Sequence, residues 1–170
     1  MLDAKVVELL NQQVNKEFYS AYLYLDFSNF YYDQGLDGFG NWYRIQAQEE
    51  RDHAMLFMQY LQNNGIKAEL EAIAKPAVKL ESAKAVLEEG LKHERYVTGL
   101  IHDIYDAAHG IKDFRTMQFL DWFVKEQGEE ETSADNLVKK FTLFGEDPKS
   151  LYMLDQELGA RVYTAPAVDI

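Results

Sequence analysis

Glu17, Glu50, Glu94 and Glu130 stand where apolar side chains would be expected. Each interrupts a run that recurs every three or four residues, the spacing that aligns side chains on one helix face. The first run is Leu10, Val14, Glu17, Ala21, Tyr24 and Ser28. The second is Phe39, Tyr43, Gln46, Glu50, His53, Phe57 and Tyr60 or Leu61. The third is Ala83, Leu87, Gly90, Glu94, Val97, Ile101, Tyr105 and Ala108, and the fourth Leu120, Phe123, Gln127, Glu130, Ala134, Leu137 and Phe141. A lone ionised carboxylate in a dry interior costs several kcal/mol, comparable with the whole net stability of a domain. Four of them require positive charge. His53 follows Glu50 by three residues, so one helix can offer a carboxylate oxygen and an imidazole nitrogen to the same cation. That motif alone is common on helix surfaces; its force comes from the other three glutamates. Oxygen ligands with one imidazole and no sulfur suit iron or manganese better than zinc.

The elements that must position these groups are four helices near thirty residues each. Asp3 caps the first, which runs to about Tyr32 before the turn Asp33-Gln34-Gly35, and Asn63-Asn64-Gly65 closes the second. Ser82 caps the third and Gly110 ends it; Asp113 caps the fourth and Gly145 ends it. Asp147-Pro148 starts a short fifth helix over about 148–158, stopped by Gly159. Residues 1–159 are thus expected to form one all-α domain, a four-helix bundle with a short fifth helix. The tail, residues 160–170, is expected to fray or to pack against another element. Residues 66–80 show no helical stripe and contain Lys75-Pro76. As an extended connection of about fifteen residues at ~3.3 Å each, they can span a helix of roughly 40–45 Å. Such a long crossover would make the second and third helices parallel.

Residues at the same height on two antiparallel helices are equidistant in sequence from the turn between them. The midpoint of Glu17 and Glu50 falls between residues 33 and 34, and that of Glu94 and Glu130 at residue 112, each within a predicted turn. Both pairs are level, and helix axes about 8–10 Å apart let inward glutamates share an ion.

Composition bounds the rest. The 170 residues fit a single domain with a substantial core, and 47% are apolar. A formal net charge of −12 disfavours nucleic acid and anionic lipid and draws cations instead. The absence of cysteine excludes disulfides, thiolate zinc sites and cysteine-ligated clusters. No apolar run approaches the ~20 residues of a membrane span, and the N-terminal residues have no signal-peptide core; a cytoplasmic location is expected.

Over nearly its whole length the chain resembles the non-haem ferritins of bacteria and archaea. The segments that carry the likeness are Asn15–Tyr24, Ala47–Ala54, His93-Glu94 and Trp122–Glu131. The resemblance implies a ferroxidase centre in which Glu17, Glu50 and His53 surround one iron and Glu50 bridges to a second, bound by Glu94 and Glu130. It places Gln127 beside the second iron and Tyr24 in hydrogen-bonding reach of the pair. It implies oxidation of Fe(II) by dioxygen, with ferric mineral stored in a hollow homo-oligomeric cage of twenty-four subunits. Glu49, Glu126 and Glu129 resemble the extra iron site of many microbial ferritins, and helical geometry allows it.

Departures from related patterns narrow the reading. The fourth helix has Gln127-Gly128-Glu129-Glu130 in place of a second Glu-x-x-His, and Arg51 stands where haem-binding bacterioferritins carry a haem-ligating methionine, so no haem is expected. Met117 and Leu120 replace the acidic pair of animal three-fold channels, with Asp121 nearby, which leaves the route of iron inward open. His93, His102, His109 and Trp122 are read as packing or surface residues. A di-iron or di-manganese redox enzyme on the same bundle would be favoured by a second Glu-x-x-His and an open substrate pocket, and the sequence lacks the first. A DNA-protecting mini-ferritin would need a metal site between subunits, against a ligand set held in one chain.

Overall fold

Short polar side chains start four of the five helices. In the computed structural model, which describes residues 2–168, α1 spans Ala4–Asp33, α2 Asp37–Asn63, α3 Ala83–Gly110, α4 Phe114–Phe144 and α5 Pro148–Gly159. The Lys5 backbone N–H donates to the Asp3 side chain, Ala85 to Ser82, Thr116 to Asp113 and Ser150 to Asp147. Each bond satisfies an amide that the first helical turn leaves without a partner.

The second helix is capped from a distance. Leu36 precedes α2 and offers no side-chain acceptor. Instead the backbone N–H groups of Gly38 and Phe39 donate to Asp155 Oδ1 of α5 at 2.8 and 3.1 Å. A buried carboxylate at a helix N-terminus is held by both orphan amides and the helix dipole. Gly38 is required for this approach, since a Cβ there would lie 1.7 Å from the Asp155 carbonyl oxygen.

Side-chain contacts fix the topology. From one end of the bundle to the other, Tyr31 of α1 donates to the carbonyl of Ala83, and Ser20 bonds His93, so α1 and α3 are antiparallel. Tyr60 of α2 bonds Thr116, and Gln46 bonds Glu130, so α2 and α4 are antiparallel too. With α1 and α2 joined by a tight turn, α2 and α3 must run in the same direction. Residues 66–81 are extended between them, the long crossover expected from their length. Asn11 and Asn15 pin this segment to α1: Asn11 Oδ1 accepts from the Glu69 N–H at 2.7 Å and Asn15 Oδ1 from the Glu71 N–H at 2.8 Å.

Apolar side chains gather in two clusters. One contains Leu10, Phe57, Leu61, Ile101, Leu120 and Phe123; the other contains Leu23, Phe27, Phe39, Val86, Leu137 and Leu154. On every long helix the glutamate falls between the residues of one cluster and those of the other. Each fully buried Leu, Ile or Phe contributes about 1.5–3 kcal/mol, so the two clusters hold together a bundle whose middle is a polar band. The first two stripes are wholly buried; Ala83, Tyr105, Ala134 and Phe141 of the others are only half-buried.

Beyond α5 the chain returns along α2. Asn41 Nδ2 donates to the Arg161 carbonyl at 3.1 Å, and the Arg161 guanidinium stacks over Trp42, 4.1 Å from the ring centroid. The Tyr163 hydroxyl donates to Asp52. The tail therefore packs on α2 through residue 163.

Candidate metal centre

Glu17, Glu50 and His53 converge from α1 and α2. One ligand atom from each lies within 4.8 Å of the others, the only such group of histidines and carboxylates among the described residues. Their exposures of 1, 2 and 2% exclude bulk water as the compensating partner. Gln13 Nε2 donates to Glu17 Oε1 at 2.7 Å, and His53 Nδ1 lies 3.7 Å from Glu50 Oε2. Glu17 Oε2 and Glu50 Oε1 make no hydrogen bond of good geometry, although the two carboxyls lie close enough to influence each other's protonation. Two orphaned buried carboxylate oxygens beside an imidazole are costly in an apolar core and suited to a cation. The chemistry of the donor set, hard oxygens with one nitrogen, fits iron or manganese.

Glu94 and Glu130 form the other half of the band, beyond that group. The Tyr24 hydroxyl donates to Glu94 Oε1, and Gln127 Nε2 lies 3.2 Å from Glu94 Oε2. Gln46 Nε2 donates to Glu130 Oε2 at 2.6 Å. A small cavity of about 20 Å³ adjoins this half, lined in part by Tyr24, Trp42, Gln46, Glu94 and Glu130; that is room for a single water-sized molecule. Gly90 opens it, since a Cβ there would approach the Tyr43 hydroxyl to 2.6 Å.

Burial dominates the electrostatics. It pushes the Glu17 carboxyl well above the usual carboxylate range, with Glu50 adding to the effect. Glu50 is raised by burial and then by Glu94 and Glu130. Glu94 is raised by burial, against the lowering pull of its bonds from Tyr24 and Gln127. Glu130 is pushed up to about 8, by burial first and Glu94 second. Burial thus disfavours the charge of all four carboxyls; without a cation Glu130 keeps its proton at neutral pH, and a metal would displace it.

The third group is not assembled. Glu49 is half-buried and pairs with Arg161, Nη2 to Oε2 at 2.6 Å; Glu129 is exposed and pairs with Lys125 at 3.2 Å. Glu126 is half-buried, its carboxyl raised by burial. His102 and His109 are exposed. His93 is a packing residue on Ser20, 2.7 Å from its hydroxyl, and Trp122 packs edge-on against His53.

Sequence reasoning missed Gln13 and Asp155 and gave Gln46 no role. Gln13 lies one helical turn before Glu17, a spacing that would have revealed it; Gln46 sat in the stripe, but its partner is on another helix. Arg161 lay in the tail and had no local signal.

The ferritin-like domain profile matches residues 7–144. The chain belongs to the ferritin family. It is 39% identical to the bacterial non-heme ferritin of Campylobacter jejuni, over 92% of this chain and 93% of that protein. A probable bacterial non-heme ferritin-like protein of Haemophilus influenzae is 38% identical over 94% of this chain and 96% of its own. An open-pore ferritin from the archaeon Archaeoglobus fulgidus superposes with a TM-score of 0.92 at 43% identity, covering 95% of this chain and 100% of that one. The non-haem type inferred from Gln127 and Arg51 agrees with the names of the two bacterial relatives, and the bundle with its crossover is a ferritin fold.

Proposed function

We propose that this ferritin stores iron and oxidises Fe(II) with dioxygen at the polar band of its bundle. The observation that carries the reading is the pair of orphaned oxygens, Glu17 Oε2 and Glu50 Oε1, buried beside His53. Iron storage is also supported by the family and by the names of the relatives. Iron is the substrate here. One Fe(II) would be held by Glu17, Glu50 and His53, and a second by Glu94 and Glu130 with Glu50 between them.

Two ferrous ions side by side can supply two electrons to one dioxygen, avoiding release of a one-electron reduced product. Hard anionic carboxylates favour Fe(III) over Fe(II), which contributes driving force. Tyr24 and Gln127 hold Glu94 in place, and Gln46 holds Glu130, so the second site is preorganised. Glu130 releases its proton as iron enters. A chain of net charge −12 favours cation uptake. In this reading the ferric product accumulates inside a cage of twenty-four copies in the cytoplasm. No described helix is long and apolar enough to cross a membrane. A third iron at Glu49, Glu126 and Glu129 would require Glu49 to leave Arg161 and Glu129 to leave Lys125.

The test is oxygen consumption on adding Fe(II) to metal-free protein, with particle mass measured in parallel. Wild type should consume dioxygen rapidly as a large particle, and a Glu50→Gln, His53→Ala variant should assemble equally but oxidise iron at least about a hundredfold more slowly. Equal rates would overturn the centre, and a small particle would overturn storage.

A further inference from the structure

The Gln46 amide is held from both ends. Its Oε1 accepts from Arg161 Nη1 at 2.8 Å, and its Nε2 donates to Glu130 Oε2 at 2.6 Å. A guanidinium carries donors only, so the amide oxygen must face Arg161 and the NH2 group must face Glu130. That orientation is the one a metal-ligating carboxylate needs, because such a carboxylate can only accept. A flipped amide would set two acceptors against each other. Gln46 is buried, so bulk water replaces neither contact and a lost one is costly.

The guanidinium is itself seated on α2. It stacks over Trp42, 4.1 Å from the ring centroid, and its Nη1 lies 3.3 Å from the Trp42 carbonyl. Nη2 pairs with Glu49 Oε2 at 2.6 Å, and Asn41 Nδ2 binds the Arg161 carbonyl at 3.1 Å. Trp42, Gln46 and Glu49 are four and three residues apart, one face of α2. Trp42 and Gln46 also line the small cavity beside Glu94 and Glu130. A residue beyond α5, in an irregular tail, thus reaches the rim of the polar band in a fixed pose.

We propose that Arg161 is a positioning residue for the second metal site: by fixing the Gln46 amide it holds Glu130 Oε2 and so sets how Glu130 presents itself to an ion. The relay runs from Arg161 to Gln46 to Glu130 and ends there. It therefore acts on the ion held by Glu94 and Glu130, not on the one held by Glu17, Glu50 and His53. The inference rests on the proposed second site and adds to it a residue of the C-terminal tail.

Anaerobic titration of the assembled metal-free protein with Co(II), followed by visible absorption, tests it. The second ion is the one whose bands Glu130→Gln removes. Arg161→Ala should weaken this ion roughly tenfold, on the scale of one charge-assisted contact. It should also change the ion's bands, because they follow ligand geometry, and leave the first ion as in wild type. Removing a cation through its charge alone would tighten both ions, so the sign separates positioning from electrostatics. In a Gln46→Leu background, itself weakened at the second ion, Arg161→Ala should cause no further loss. A second ion bound by Arg161→Ala as tightly as by wild type, or more tightly, overturns the proposal. An equal loss at both ions does so too, as does a loss that persists in full beside Gln46→Leu. Wild type without bands sensitive to Glu130→Gln would overturn the second metal site itself, and the proposal with it.

Discussion

Replacing Glu130 by glutamine should make the metal-free protein more stable while disabling the proposed second metal site. In the fold the Glu130 carboxyl titrates near 8 against an ordinary 4.5, because burial and Glu94 disfavour its charge. A raised carboxyl costs nothing below pH 4.5, where folded and unfolded chains both carry the proton. Stability then falls as pH rises, since the unfolded chain releases the proton and the folded one keeps it, until the folded value is passed near 8. At pH 7 the loss is up to about 3 kcal/mol, from 1.36 kcal/mol for each of the 2.5 pH units above 4.5. Neighbouring carboxyls take up part of it. Glutamine has the same shape, carries no charge, and its Oε1 can still accept the bond from Gln46 Nε2. Glu130→Gln should thus leave stability unchanged at pH 4.5 and raise it with increasing pH, by roughly 6–12 °C in melting temperature at pH 7. Thermal melts of chelator-treated wild type and variant from pH 4.5 to 8.5 measure this. Fe(II) or Zn(II) should stabilise wild type and much less the variant. A variant less stable than wild type at pH 7, or a difference that does not change with pH, would refute the argument.

Burial and Lys16 pull the His93 imidazole down to about 4, so it is neutral in the fold. Its contribution to stability should fall by up to about 3 kcal/mol as pH drops from 6.5 to 4, opposing that of the raised carboxyls, and His93→Gln should remove that contribution, so the difference between variant and wild type changes over this range. Gly38→Ala should lower stability by about 2 kcal/mol or more, because its methyl group forces α2 away from Asp155 and breaks the cap; chemical denaturation reads the loss. Tyr24→Phe should leave the Glu17, Glu50 and His53 site intact and weaken binding at Glu94 about tenfold, through loss of a charge-assisted hydrogen bond. Anaerobic calorimetric titration with Fe(II) separates the two steps, and equal weakening of both would count against it.

Periodicity and capping carried most of the fold. Asp3, Ser82, Asp113 and Asp147 are local signals, each bonded to an amide two or three residues on, and so visible in a sequence. The equal distances of the glutamates from their turns carried the level of the polar band, because helices are rigid rulers. The cap of α2 by Asp155 was not legible, since it joins residues 117 positions apart. For the same reason Arg161, 112 positions from Glu49, was invisible: one arginine in an irregular tail has no period to betray its partner. Glu49, Glu126 and Glu129 share plausible spacing, but spacing cannot show that Arg161 and Lys125 already hold two of them.

Two iron ions are expected to bind within one chain, between the two apolar clusters. Crystals of the protein soaked anaerobically in Fe(II) and measured at the iron absorption edge test it most directly. Two anomalous peaks per chain are expected, one bonded to Glu17, Glu50 and His53 and one bonded to Glu94 and Glu130. Iron found only on surface carboxylates, with the buried band empty, would contradict it.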